Sequence, residues 1–263
     1  MNHLRSRSMP ASLAIRWAAR SACVMAAAAL PACRSSGAAA DGAAAVARFV
    51  VLGEAPAGAE AAEFRAPGGS RAVFVPWESD GSARLEIERA EPDDSGRYVQ
   101  RRWAVRGAER TLVREQRLVS GDDGAVLLAE EINHAEKVEV VFTPPLVVVP
   151  ADLTSGLEAR QRARMAVYPL GDRARTRARG TVEQTIVVGQ TVRVRTPAGE
   201  CDARTLVSEF RADLGASKVQ NRTETWLAPG IGIIAEQRQE RTTALGVPIR
   251  NNRESWVVIE LPR

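Results

Sequence analysis

Few residues in this 263-residue chain can do covalent or metal chemistry. It has 3 cysteines and 2 histidines. Beyond residue 32 only His134, Cys33 and Cys201 remain. Zinc binding by His/Cys spacing is thereby excluded. A Ser-His-Asp triad would have to use His134, and no G-x-S-x-G string accompanies it; a solvent-facing histidine at a strand end is the expectation. There is no glycine-rich phosphate loop and no heptad pattern. The paired carboxylates Asp93-Asp94 and Asp122-Asp123 fall in turn sequences, where Asp bonds local backbone, and no calcium-loop or glycosidase pattern supports them. The expectation is no catalytic residue, no metal and no cofactor.

An excess of charge is missing as well. The chain carries 36 Lys+Arg against 32 Asp+Glu, a formal +4. The surplus is Arg5, Arg7, Arg16 and Arg20, in a first stretch of 32 residues that has no acid. Without that stretch the chain is formally neutral, so no global field favours nucleic acid as a partner. The four arginines precede a short apolar run, Ser21–Leu30, too short to span a bilayer. Leu30-Pro31-Ala32-Cys33 follows and resembles the lipobox of bacterial lipoproteins. The resemblance implies removal of residues 1–32, acylation of Cys33 and a membrane contact through the lipid, at the outer membrane or elsewhere in the envelope. The alternative is a plain secretory signal cut near Ala38-Ala39-Ala40, which leaves the protein soluble outside the cytoplasm. Cys201 then has no partner for an intramolecular disulfide and is expected as a small buried hydrophobe.

Residues 33–70, small and rich in Ala and Gly, suggest a tether and a loose extension, with the compact domain at 71–263. In that domain period-two runs separated by Gly, Pro and Asp turns dominate. Leu85 and Ile87 alternate with Glu86 and Glu88; Lys137–Phe142 alternates until Pro144-Pro145 breaks it; Thr181–Val188 and Thr191–Thr196 flank Gly189-Gln190 like a hairpin. Residues 151–165 suggest a short helix or an irregular link. The fold class expected is all-β, a mainly antiparallel meander forming a strongly curved sheet or open barrel with little helix.

The most specific string is Trp226-Leu227-Ala228-Pro229-Gly230-Ile231-Gly232. Trp226 should end a strand with a buried ring; Pro229 and Gly230 suit the two central positions of a type II turn; Gly232 suits a bulge on re-entry. With Thr196-Pro197-Ala198-Gly199 upstream, it resembles the W-[YL]-A-P-G-[VI]-G hairpin of exported bacterial β-rich proteins of unknown function, the DUF3108-like and TapB-like groups. That resemblance implies an envelope β-protein and carries over no catalytic residue. Separately, Asp94-Ser95-Gly96-Arg97-Tyr98 resembles the tyrosine corner of immunoglobulin domains, with Gln100 where the cysteine belongs.

Arginine forms the densest charge pattern. Arg160, Arg162 and Arg164 alternate, as do Arg173, Arg175, Arg177 and Arg179. As two strands of a hairpin they would form a basic ribbon for an anionic lipid or envelope polymer; the alternative is a solvated face paired to neighbouring Glu. The functional expectation is a non-enzymatic envelope lipoprotein that binds a hydrophobic or anionic ligand on its sheet. A structural or assembly protein acting through protein contacts is the first alternative, and a hydrolase with an unrecognised site the second.

Overall fold

Where apolar and polar side chains alternate at period two, each strand turns one row inward and one outward, and a sheet with a single wet face must curve or close to hide the other. Here it closes. The computed structural model describes residues 49–55, 64, 67–77 and 82–262. The leader, Cys33 and most of the expected tether lie outside them.

Thirteen strands form one antiparallel sheet: β1 (Val50–Glu54), β2 (Arg71–Pro76), β3 (Ala83–Arg89), β4 (Arg97–Arg106), β5 (Glu109–Ser120), β6 (Val126–Asn133), β7 (Val138–Val149), β8 (Glu158–Pro169), β9 (Ala178–Thr196), β10 (Gly199–Asp213), β11 (Ser217–Ala228), β12 (Gly232–Ala244) and β13 (Val247–Glu260). From β2 to β13 each strand pairs with the next, and β13 pairs back onto β2, closing a twelve-stranded up-and-down barrel. This bears out the all-β antiparallel expectation and replaces the two-sheet sandwich implied by the immunoglobulin-like corner. β1 pairs with β9 through Val50↔Arg195 to Glu54↔Val192, on the edge that β8 has vacated after Glu158↔Val187. Phe64 is buried beside Leu153 and Leu206. The sheet body therefore recruits residues upstream of Arg71.

Three local expectations are corrected. First, Pro144-Pro145 does not end β7. The chain stays paired to β6 on both sides of the prolines, through Val141↔Glu130 and Leu146↔Leu128, while pairing to β8 stops at Thr143↔Arg164. The absent proline N–H groups thus fall where the β8 ladder has ended. Gln161 takes over there, accepting from Val147 N at 2.9 Å and donating to Val147 O at 3.0 Å. Second, residues 158–165 are strand and not helix. Third, Gly189-Gln190 is no hairpin turn: β9 runs through it for 19 residues. A register shift beside Thr205 absorbs the irregularity, and a Cβ on Gly189 would stand 3.1 Å from the Thr205 side chain.

The string around Trp226 behaves as its residue types dictate. Gly230 and Gly232 have φ of 67° and 83°, and a register shift lies between Trp226 and Leu227. Trp226 is buried and packs with Phe49 and Trp77 at ring-centroid distances of 4.7 and 5.7 Å. Around it Phe74, Leu85, Ile234, Trp256 and Val258 fill one end of the barrel. Tyr98, Leu118, Leu128, Phe142, Met165 and Val182 fill the side under β4–β9. Each large side chain sealed in this way contributes about 1.5–3 kcal/mol.

Candidate functional site

The two walls of the barrel treat their outward charges differently. On β2–β7 they are spent on one another. Glu86 receives Arg71 at 2.5 Å and Arg110 at 2.7 Å; Arg110 also reaches Glu88; Arg101 meets Glu115 at 2.9 Å; Arg117 pairs with Glu130. Burial works to raise the Glu86 carboxyl, but hydrogen bonds from Arg71 and Arg110 outweigh it and hold its pKa below the usual range. His134, at the end of β6, bonds Glu115 through Nε2 at 3.0 Å and so is not simply solvent-facing. Asp93 accepts from the backbone N–H of Ser95 and of Arg97, and Asp123 from that of Ala125, the local turn roles expected of them.

On β8–β13 the ladder aligns outward residues in rows across six strands. One row reads Arg160, Thr185, Glu209, Arg222, Gln239, Arg253. The next reads Arg162, Glu183, Arg211, Gln220, Arg241, Asn251. The third reads Arg164, Thr181, Asp213, Lys218, Thr243, Pro248. Cations outnumber carboxylates in all three rows, and none of the three offers the apolar band of a membrane-spanning barrel. Pairing is looser around Arg162 and Arg211. Arg162 stands 3.9 Å from Glu183, with both side chains more than two-thirds exposed; Arg211 lies 3.6 Å from Glu209. Closer are Arg160 to Glu158 at 2.5 Å, Arg195 to Glu200 at 2.6 Å, Arg193 to Asp202 at 2.8 Å and Arg222 to Glu209 at 2.9 Å. A shallow concavity of about 330 Å³ opens on this face, lined by Glu158, Thr185, Val187, Val207, Glu209 and Arg222.

The structure divides the arginines singled out in the sequence. Arg160, Arg162 and Arg164 project together from β8. Arg173, Arg175 and Arg177 lie in the β8–β9 turn, and only Arg179 is in a strand. The second half of the expected ribbon is therefore absent. Arg173 reaches across to Glu139 and, at 2.8 Å, to Glu130, which raises its pKa above the ordinary arginine value. Arg177 is pulled below that value by burial and by neighbouring Arg175. The outward residues Arg211, Arg222, Arg241 and Arg253 escaped sequence reasoning, because each becomes part of a row only through cross-strand register.

Inside the barrel, the bond network between Arg102 and Glu236 was equally unforeseen. Arg102 donates to both carboxylate oxygens, at 3.0 and 3.1 Å. Arg114 lies 3.5 Å from Glu131, and Arg238 and Arg250 converge on Glu240 at 2.7 and 3.2 Å. Glu131 attracts Arg114 and raises its pKa, but burial and the nearby Arg238 and Arg102 prevail and lower it overall. A concavity facing the barrel interior, lined in part by Ala72, Phe74 and Ile87, measures about 20 Å³, room for one water and not for a lipid. Cys201 is half-buried and unpaired, and burial raises its thiol pKa. Among the described residues no cluster of His, Cys, Asp and Glu is arranged to hold a metal, and no helix is long and apolar enough to cross a membrane.

No family model matches the chain, and neither does any curated protein. Two solved structures are similar. One is a candidate lipoprotein from Parabacteroides distasonis ATCC 8503, 14% identical, with a TM-score of 0.48 over 75% of this chain and 97% of that one. The other is a candidate exported protein with a YmcC-like fold from Bacteroides fragilis NCTC 9343, 15% identical, with a TM-score of 0.45 over the same shares.

Proposed function

We propose that this chain is a non-enzymatic envelope lipoprotein, acylated on Cys33, that holds an anionic envelope polymer against the outer face of β8–β13. The observation that carries the reading is the standing of Arg162 and Arg164: where Arg71, Arg101, Arg110 and Arg117 on β2–β5 meet close carboxylates, these two stand exposed in rows of hydrogen-bonding Thr, Gln and Asn. Such rows suit phosphate or carboxylate groups repeated along a polysaccharide. A hydrophobic ligand is less well served by the concavity beside Phe74 and Ile87, which is too small for one. The carboxylates of shifted pKa offer no general acid. Glu86, Asp93, Glu115, Glu139, Asp152, Asp213 and Glu236 all shift downward, toward fixed negative charge and away from general-acid duty.

The test is titration of the chain from Arg34, which keeps every described residue, with the lipid-free core oligosaccharide of lipopolysaccharide. Binding that weakens with salt, and falls about tenfold or more in the Arg160→Gln/Arg162→Gln/Arg164→Gln variant, is expected. Equal binding by the triple variant refutes the face. Acylation is read separately: labelled palmitate should enter the full chain and not its Cys33→Ala variant.

A second reading, an assembly protein, is favoured by β1. Among the described residues it pairs only with β9, and Val50, Val51 and Leu52 are 40–50% exposed beside its other edge. Such an edge can accept a partner strand.

A further inference from the structure

Three neighbouring hairpins on one rim of the barrel carry Leu-Gly at their turns: Leu170-Gly171 after β8, Leu214-Gly215 after β10 and Leu245-Gly246 after β12. Leu214 tucks inward against the Phe142 and Met165 cluster. The other two do not. Leu170 is 39% exposed and Leu245 is 66% exposed, and the run Leu245-Gly246-Val247-Pro248-Ile249 is exposed at every position. Three large apolar side chains exposed together on one turn call for a function. The tip also costs the backbone. Leu245 takes φ of 50°, a left-handed conformation that Gly or Asn adopts easily, and its side chain gains no burial in return.

The shape and charge around the tip identify what covers it. The apolar residues sit on a projecting turn and not in a groove, which suits a deformable phase. Cations stand just behind them. Lys218 lies opposite Thr243, which lies opposite Pro248, and Arg241 lies opposite Asn251; two hairpins along the same rim, the β8–β9 turn exposes Arg175 and the start of β9 exposes Arg179. Of the nearby acids, Asp213 pairs with Lys218 at 3.3 Å, Asp172 lies in the β8–β9 turn, and Glu240, beside Arg241 in sequence, is taken up by Arg238 and Arg250 at 2.7 and 3.2 Å. An apolar tip backed by cations matches an interface of acyl chains below phosphates. β1 starts beside Arg195, at the opposite rim from this tip.

We propose that the Leu245–Ile249 turn inserts into the headgroup region of an anionic bilayer while Lys218, Arg241, Arg175 and Arg179 meet lipid phosphates. The contact is a second membrane site, distinct from Cys33, and does not depend on polymer binding by the β8–β13 face.

The experiment is co-sedimentation of the unacylated chain from Arg34 with vesicles of phosphatidylethanolamine, with and without phosphatidylglycerol. Binding that needs phosphatidylglycerol, and that falls about tenfold or more in Leu245→Ser/Val247→Ser/Ile249→Ser, is expected. These three side chains are solvent-exposed, and an unchanged thermal midpoint in the variant will show that its fold is kept. Core-oligosaccharide binding should be unaffected by the tip substitutions, so failure of one contact is distinguishable from failure of the other. Wild-type protein that ignores the vesicles, or a tip variant that binds them as well as wild type, overturns the proposal.

Discussion

Arg102 on β4 and Glu236 on β12 join across the barrel interior, two hydrogen bonds spanning strands that three others separate in the ring. Both side chains are 13% exposed. Removing one partner leaves the other charge buried and uncompensated, which costs about 3–5 kcal/mol, whereas replacing both by apolar groups of similar size is near neutral. Arg102→Met and Glu236→Met should therefore each lower the denaturation midpoint in urea more than the double variant does. A double variant as unstable as the sum of the singles would show that the two residues do not act as a pair.

The same pair sets an acid limit. Burial by itself would raise the Glu236 pKa, but Arg102, then Arg238 and Arg114, hold it at about 2 against an ordinary 4.5. A carboxylate depressed on folding stabilises above its unfolded pKa, and the stabilisation drains away as pH falls toward the folded value. Stability should thus decline from about pH 4.5 to pH 2, by on the order of 3 kcal/mol from this group. Urea unfolding at stepped pH measures it. In Glu236→Gln the decline in that window should be shallower, and an unchanged slope would remove Glu236 as its source.

What the sequence disclosed and what it concealed follow from the range of each interaction. Strand alternation and the turns at Pro229-Gly230 and Pro197-Ala198 are local, and the barrel uses them as expected. Closure of β13 on β2 is not local: it joins residues such as Val257 and Val75, and no pattern within either strand announces it. Pro144-Pro145 and Gly189 misled for a related reason. Each breaks a strand only if the neighbouring ladder needs the missing N–H or regular register at that point, and here β8 has already departed or a bulge absorbs the shift. The arginine alternation on β8 was legible because it is a period-two signal. The rows that extend it were not, because they exist only across the sheet.

Gly180 tests the fit between β9 and the end of β10. A Cβ placed on it would lie 1.8 Å from the carbonyl oxygen of Asp213, a backbone atom that cannot swing aside as a side chain would. Gly180→Ala should destabilise by about 1–3 kcal/mol, the usual cost of overpacking. Gly107→Ala is a useful contrast. Its Cβ would meet nothing within 4 Å, so its cost, at φ of 58°, is conformational alone. Thermal unfolding of both variants separates the cases, and a Gly180→Ala protein with the wild-type midpoint would contradict the close approach.

The arginines also make a discriminating pair. Arg173 is committed to Glu130 and Glu139, while Arg162 only approaches Glu183 at 3.9 Å. If the outer face recognises anions, available charge should matter more than the number of arginines nearby. Arg162→Gln should weaken core-oligosaccharide binding and flatten its dependence on salt, since one phosphate contact fewer releases fewer counterions. Arg173→Gln should leave both almost unchanged, and because its guanidinium is half exposed it should cost at most about 1 kcal/mol of stability. Titrations at stepped ionic strength compare them directly. Equal losses from the two substitutions would mean that the polymer responds to overall charge, and the ordered rows on β8–β13 would then have no special part in holding it.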